Sequence, residues 1–156
     1  MDFADKEIIE FWKSLHIHEV KYILVGGFAV NLHGYSRNTA DLDLWIRDDA
    51  QNRKNFRVVI KEIGIGDFES LETTQFIPGG STLLFNSGFE LDVMTFLSGF
   101  PADSFDDAYA KASIAAIHEI PVRFLHLNQL IEAKKTCGRP RDIQDIIELE
   151  RISREK

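Results

Sequence analysis

Residues 21–46 read KYILVGGFAVNLHGYSRNTADLDLWI, and their order decides the fold. Lys21–Val25 is a short apolar run of β-forming residues, which predicts a buried strand. Gly26-Gly27 stops it. Phe28–His33 has the composition of a short helix, closing at Gly34 as its C′ glycine. Asp41–Ile46 opens with polar–apolar alternation, which predicts a half-buried strand. Side chains at i and i+2 of a strand share a face. Asp41 and Asp43 therefore converge on one face, while Leu42 and Leu44 point to the core.

On the N-terminal side, residues 4–15 (ADKEIIEFWKSL) space Ile8, Ile9, Phe11, Trp12 and Leu15 as one face of a helix. On the C-terminal side, Asp48 or Asp49 caps a helix running to about Ile63, broken by Gly64 and Gly66. Residues 74–97 predict a β-meander. Its strands are Phe76-Ile77, Leu83–Phe85 and Phe89–Phe96, with turns at Pro78-Gly79-Gly80 and Asn86-Ser87-Gly88. Residues 103–111 suggest a short helix, and Ile114–Ile117 pairs with Val122–Leu125 around Glu119–Pro121. Leu127–Thr136 and Arg141–Arg154 form two final helices split by Gly138 and Pro140. The fold class is α/β in the α+β sense, with a mixed central sheet flanked by helices. Residues 1–156 read as one domain with a C-terminal helical segment from about 127.

Composition sets further bounds. The chain is 44% hydrophobic and 28% charged, which excludes a disordered tail, a collagen-like chain and a coiled coil. No apolar run approaches the roughly 20 residues that span a bilayer. The start, MDFADKEIIEF, lacks a basic segment followed by an apolar one, so no signal peptide and a cytoplasmic location are expected. Cys137 is the one cysteine and cannot form an internal disulfide. The net charge of −7 opposes holding a long nucleic-acid duplex by its phosphates. A small substrate or a short nucleic-acid end fits better, and converging carboxylates attract cations.

Asp41-x-Asp43 and the preceding Gly26-Gly27 form one constellation. Paired carboxylates on a strand face suit a hard cation such as Mg²⁺. Glycine between a strand and a helix lets a phosphate approach the backbone. Taken alone, the acid pair also reads as a solvated strand end or cap, and the glycine pair as a turn. A second constellation lies in Phe89–Phe96. Alternation puts Leu91, Val93 and Thr95 on one face and Glu90, Asp92, Met94 and Phe96 on the other. Asp92 thus sits in a strand otherwise fit for burial, either as a third metal-directed acid or as an exposed acid of a hairpin. Two carboxylates about 5 Å apart repel by roughly 3 kcal/mol at an effective dielectric near 20. Three such pairs approach about 10 kcal/mol, comparable to the whole stability of a domain. Protons or cations must relieve that repulsion.

These motifs resemble the DNA polymerase β-like nucleotidyltransferase superfamily, and within it the small bacterial members of the abortive-infection toxin, minimal and aminoglycoside types. The resemblance is carried by Leu24-Val25-Gly26-Gly27-x-Ala29, by His33-Gly34-x-x-Arg37-x-Thr39-x-Asp41-Leu42-Asp43-Leu44, and by Leu91-Asp92-Val93. The segment from Leu130 through Lys134, Gly138, Arg139, Asp142 and Asp145 to Ile146 is similar to the C-terminal helical motif of the same enzymes. The resemblance implies the polymerase β-like nucleotidyltransferase fold. It implies that Asp41 and Asp43 hold two Mg²⁺ ions and that Asp92 completes the metal site beside the attacking hydroxyl. Gly26 and Gly27 would cradle the triphosphate. The implied reaction moves a nucleoside monophosphate from an NTP, ATP among them, to an acceptor hydroxyl and releases pyrophosphate. The acceptor is a small molecule, a protein side chain or a tRNA end.

Arg37 and Lys134 are candidate phosphate contacts or surface cations, and Lys135 reads as a solvent residue. Arg139, Arg141, Asp142 and Asp145 form a structural ion network or frame the nucleotide pocket. Ser36, Asn38 and Thr39 order the loop before Asp41. His16, His18, His33, His118 and His126 give no zinc-ligand pair. Cys137 reads as structural, and Trp12 and Trp45 as core. So compact a chain is expected to complete its pocket with a partner protein or a second copy. The competing function is a catalytically silent nucleotide-binding or interaction module of a toxin–antitoxin pair. A glycosyltransferase with the same acid pair leaves the glycines and Asp92 unexplained.

Overall fold

The computed structural model describes residues 5–76 and 80–155. Helix α1 (Lys6–Ile17) is capped by Asp5, whose side chain accepts from the Glu7 amide, and it buries Ile8, Phe11, Trp12 and Leu15. Strand β1 (Tyr22–Val25) is buried throughout. Helix α2 (Gly26–Leu32) starts at the glycine pair itself, two residues before the expected start, so the glycines form its first turn. Strand β2 (Asp41–Ile46) alternates as predicted, with Leu42 and Leu44 fully buried. Burying a leucine side chain contributes about 1.5–3 kcal/mol. Two of them fix which face of β2 carries the acids.

Asp49 caps helix α3 (Ala50–Glu62), accepting from the Asn52 amide. A short helix α4 (Ser70–Thr73) follows, which no periodicity announced. In the expected meander, Phe76 is buried but lies outside any strand, and Ile77 with Pro78-Gly79 falls outside the described residues. Strand β3 (Ser81–Leu84) is shifted two residues N-terminal of the expected start and leaves Phe85 to fill the core. Strand β4 (Glu90–Met94) ends before Thr95 and Phe96.

Helix α5 (Phe105–Lys111) and the hairpin of β5 (Ser113–Ile117) and β6 (Ile120–Phe124) come next. The hairpin turns at His118-Glu119, both with positive φ, rather than around Glu119–Pro121. Two consecutive positive-φ residues match the twist of the strands they join. Proline reads as a breaker, yet Pro121 pairs with Ala116 inside β6. Helices α6 (Leu127–Cys137) and α7 (Pro140–Glu155) close the chain, with Gly138 left-handed between them. Proline fits the first position of α7 because its missing N–H would have no helical partner there.

Among the described residues six strands form one mixed sheet in the order β3-β4-β2-β1-β6-β5. β1 and β2 run antiparallel, while β2 and β4 run parallel. The core joins Trp12, Trp45, Phe11, Phe28 and Phe56 to the sheet, so both tryptophans are core residues as expected. Among the described residues no helix is long and apolar enough to cross a membrane.

Candidate active site

Asp43 and Asp92 are register partners on adjacent parallel strands. Such partners lie about one strand spacing apart, roughly 4.8 Å. Asp41 stands two residues before Asp43 on the same face of β2. The outcome is that one ligand oxygen from each of Asp41, Asp43 and Asp92 lies within 4.8 Å of the others, and all three acids are partly buried. No other such group of acids, histidines or cysteines occurs among the described residues. His33 is buried with Nε2 2.7 Å from the Leu125 carbonyl, and His126 caps α6.

The trio opens into a cleft of about 490 Å³. Its lining includes Val25, Gly26 and the three aspartates, Met94 at the end of β4 with Phe96 and Leu97 beyond it, and Leu130, Ala133 and Lys134 from α6. Met94 shares the cleft with Asp92, as alternation along β4 requires, whereas Phe96 lies past the end of the strand and alternation does not set its face. Cys137, read from sequence as structural, is exposed and edges the cleft.

The two glycines differ. Val25 pairs with Asp43 across β1 and β2, so Gly26 follows directly beside that carboxylate. A Cβ on Gly26 would lie 2.0 Å from Asp43 Oδ2, and its φ is +68°. Gly26 also lines the cleft. Gly27 does not; a Cβ there would lie 2.6 Å from Thr39 Oγ1 and 3.2 Å from the Arg37 guanidinium. Thr39 in turn donates to the Asp41 carbonyl at 3.1 Å, which orders the loop before β2.

Burial raises the Asp43 carboxyl to about 8, and the charges of Asp41 and Asp92 push in the same direction. Burial, then the hydrogen bond and charge of Asp92, raises Asp41 as well, against the opposing effects of Asp43 and Arg141. A trio that holds a proton near neutrality in the absence of cations is a trio that gains from binding one. Three hard carboxylate oxygens are the donor set of Mg²⁺ rather than of a soft metal. Thr82 on β3 donates to Asp92 Oδ1 at 2.6 Å and orients it. Sequence reasoning missed Thr82, because only the β3–β4 register pairs it with Asp92.

The basic residues divide sharply. Arg37 donates through Nε and a terminal nitrogen to both oxygens of Asp145, at 2.7 and 2.8 Å. Lys134 is buried, with Nζ 3.2 Å from Asp142 and 2.9 Å from Asp145. Arg139 Nε donates to Asp142 at 2.8 Å. Burial alone would raise Asp142 and Asp145; hydrogen bonds from Arg139, Arg37 and Lys134 outweigh it and hold both below the usual carboxylate range. The network ties α6 and α7 to the loop before β2, while its members Lys134, Arg139 and Asp142 also line the cleft. Arg37 does not line it. Arg141 lines the cleft but stands outside the network. Lys135 is exposed and pairs with Glu132 and Glu150.

With this sheet and this acidic cleft, the protein falls in the class of nucleotidyltransferases. It belongs to the family described as nucleotidyltransferase of unknown function (DUF6036), whose model matches residues 5–154. Among curated proteins no sequence match is found. Among solved structures, the lincosamide antibiotic adenylyltransferase LnuA, lincomycin-bound, aligns with a TM-score of 0.65 at 18% identity, over 96% of this chain and 98% of that one. The antibiotic-resistance factor ANT(2″)-Ia aligns at 0.63 and 19% identity, over 97% and 83%. A putative nucleotidyltransferase from Thermotoga maritima aligns at 0.58 and 14% identity, over 96% and 91%. At these identities the likeness is one of fold.

Proposed function

We propose that residues 1–156 act as one Mg²⁺-dependent enzyme that transfers a nucleoside monophosphate from an NTP to an acceptor hydroxyl. The observation that carries this reading is the convergence of Asp41, Asp43 and Asp92 in the lining of a cleft that Gly26 also lines. Asp41 and Asp43 would hold two Mg²⁺ ions, with Asp92 completing the set beside the attacking hydroxyl. When bound, the ions supply charge neutralisation for the entering and leaving oxygens of an in-line displacement. The acceptor oxygen forms a bond to the α-phosphorus, the bond to the bridging oxygen breaks, and pyrophosphate leaves. The hydroxyl proton passes to solvent.

The protein's own contribution is positioning. Gly26 leaves the backbone open where a side chain would collide with Asp43. Thr82 fixes the Asp92 rotamer. Lys134, Asp142 and Asp145 hold the helical wall against the loop before β2 through Arg37. Met94, Phe96 and Leu97 offer an apolar surface for a base or an acceptor. The intact trio speaks against the silent-module alternative.

The test is pyrophosphate release from each of the four NTPs with Mg²⁺, across small alcohols including lincosamide and aminoglycoside antibiotics, protein acceptors and tRNA. Asp41→Asn is expected to abolish transfer and leave the circular-dichroism spectrum unchanged. Transfer by Asp41→Asn at near wild-type rate would contradict the assignment.

A further inference from the structure

This inference rests on the nucleotidyltransferase reading and concerns which side chain meets the donor's phosphates. Among the described residues, three cations line the cleft: Lys134, Arg139 and Arg141. Lys134 is buried between Asp142 and Asp145, and Arg139 is engaged by Asp142. Arg37 lies off the cleft with its guanidinium on Asp145. Arg141 is exposed and, among the described residues, has neither a hydrogen bond nor an ion pair. Exposure alone says little, since many surface cations are unpaired. Two further facts set Arg141 apart.

The first is its place. It lines the same cleft as the three aspartates. The second is how its backbone is held. Asp142, the next residue, is fully buried and accepts from both the main-chain N–H and the guanidinium of Arg139, at 3.2 and 2.8 Å. Lys134 reaches Asp142 from α6. Anchored neighbours on both sides thus hold the backbone at Arg141, while its side chain is left unengaged at the cleft. A guanidinium there presents a planar fork of donors that matches phosphate oxygens.

We propose that Arg141 is the side chain that binds the triphosphate of the donor nucleotide, and that Arg37 and Lys134 are positioning residues that fix the turn carrying it. The divided labour has a physical reason. Lys134 already shares its charge with two aspartates, so turning it to a phosphate would leave a buried carboxylate less well neutralised. Arg141 gains a partner and loses none.

The test titrates inorganic tripolyphosphate, α,β-methylene-ATP and adenosine into the full chain by calorimetry in Mg²⁺ buffer. Arg141→Ala is compared with Arg141→Lys, and with Lys135→Ala as a control for loss of one surface charge. Arg141→Ala is expected to weaken both phosphate-bearing probes about tenfold or more, since charge-assisted bonds are the strong ones. It leaves adenosine unchanged; Arg141→Lys recovers part of the loss and Lys135→Ala behaves as wild type. Equal affinities of wild type and Arg141→Ala for tripolyphosphate would overturn the proposal. So would a matching loss of adenosine binding, which would mark a structural role. If wild type binds neither phosphate probe, the nucleotidyltransferase reading itself fails, a result distinct from the other two.

Discussion

Asp43 lies closest to the electrostatic cost of this site. Its carboxyl is pushed up to about 8, first by burial and then by the charges of Asp41 and Asp92. In the unfolded chain it would titrate in the ordinary carboxylate range. The native state therefore holds a proton that the unfolded chain has released, so this group's contribution to stability falls as pH rises from about 4 towards 8. Above 8 the whole penalty is present unless a cation removes it. Urea denaturation of the metal-free protein between pH 5 and 8.5 is expected to show wild type losing stability relative to Asp43→Asn as pH rises. Mg²⁺ affinity rises over the same span. A pH-independent difference between the two proteins would contradict this origin of the shift. Gly26 makes a second prediction at this scale. Gly26→Ala places a Cβ 2.0 Å from Asp43 Oδ2 at a φ of +68°. A left-handed L-residue costs about 1–2 kcal/mol. Urea melts should show that loss, and Mn²⁺ titration should show a weakened site because Asp43 must move.

At the scale of elements, the ion network decides how the helices meet the sheet. Asp145 on α7 receives Arg37 from the loop before β2 and Lys134 from α6. Asp145→Ala leaves both cations without that partner, and Lys134 is buried. Removing one member of a buried pair costs about 3–5 kcal/mol. The urea midpoint is expected to fall accordingly, and an unchanged midpoint would mean the network carries no structural load. The elements also mark where sequence reading stops. β1, β2 and the two final helices were legible because apolar spacing, glycine and proline act locally. The start of α2 at Gly26, the turn at His118-Glu119 and the strand place of Pro121 were not. The place of Pro121 in particular depends on its partner strand β5, which local pattern does not name.

At the scale of the whole molecule, the acids of β2 and β4 belong together only because the sheet sets those strands side by side, across an intervening helix pair and β3. Alternation showed which face each aspartate takes. Nothing local showed that Asp92 lies opposite Asp43, and that step came from a family resemblance. Thr82 was illegible for the same reason, since its role exists only in the β3–β4 register. A ligand that binds the native state alone stabilises all of it. Mg²⁺ with α,β-methylene-ATP at about a hundred times its Kd adds about 2.7 kcal/mol. For a domain of this size that raises Tm by roughly 5–10 °C. Differential scanning calorimetry is expected to show the rise in wild type and not in Asp41→Asn; an equal rise in both would place the ligand elsewhere.

The most direct measurement is an anomalous difference map from crystals grown with Mn²⁺ and α,β-methylene-ATP. The account predicts peaks within coordination distance of Asp41, Asp43 and Asp92, with the phosphates in the same cleft. Nucleotide density with no metal peak at these carboxylates, or metal bound away from them, would contradict it.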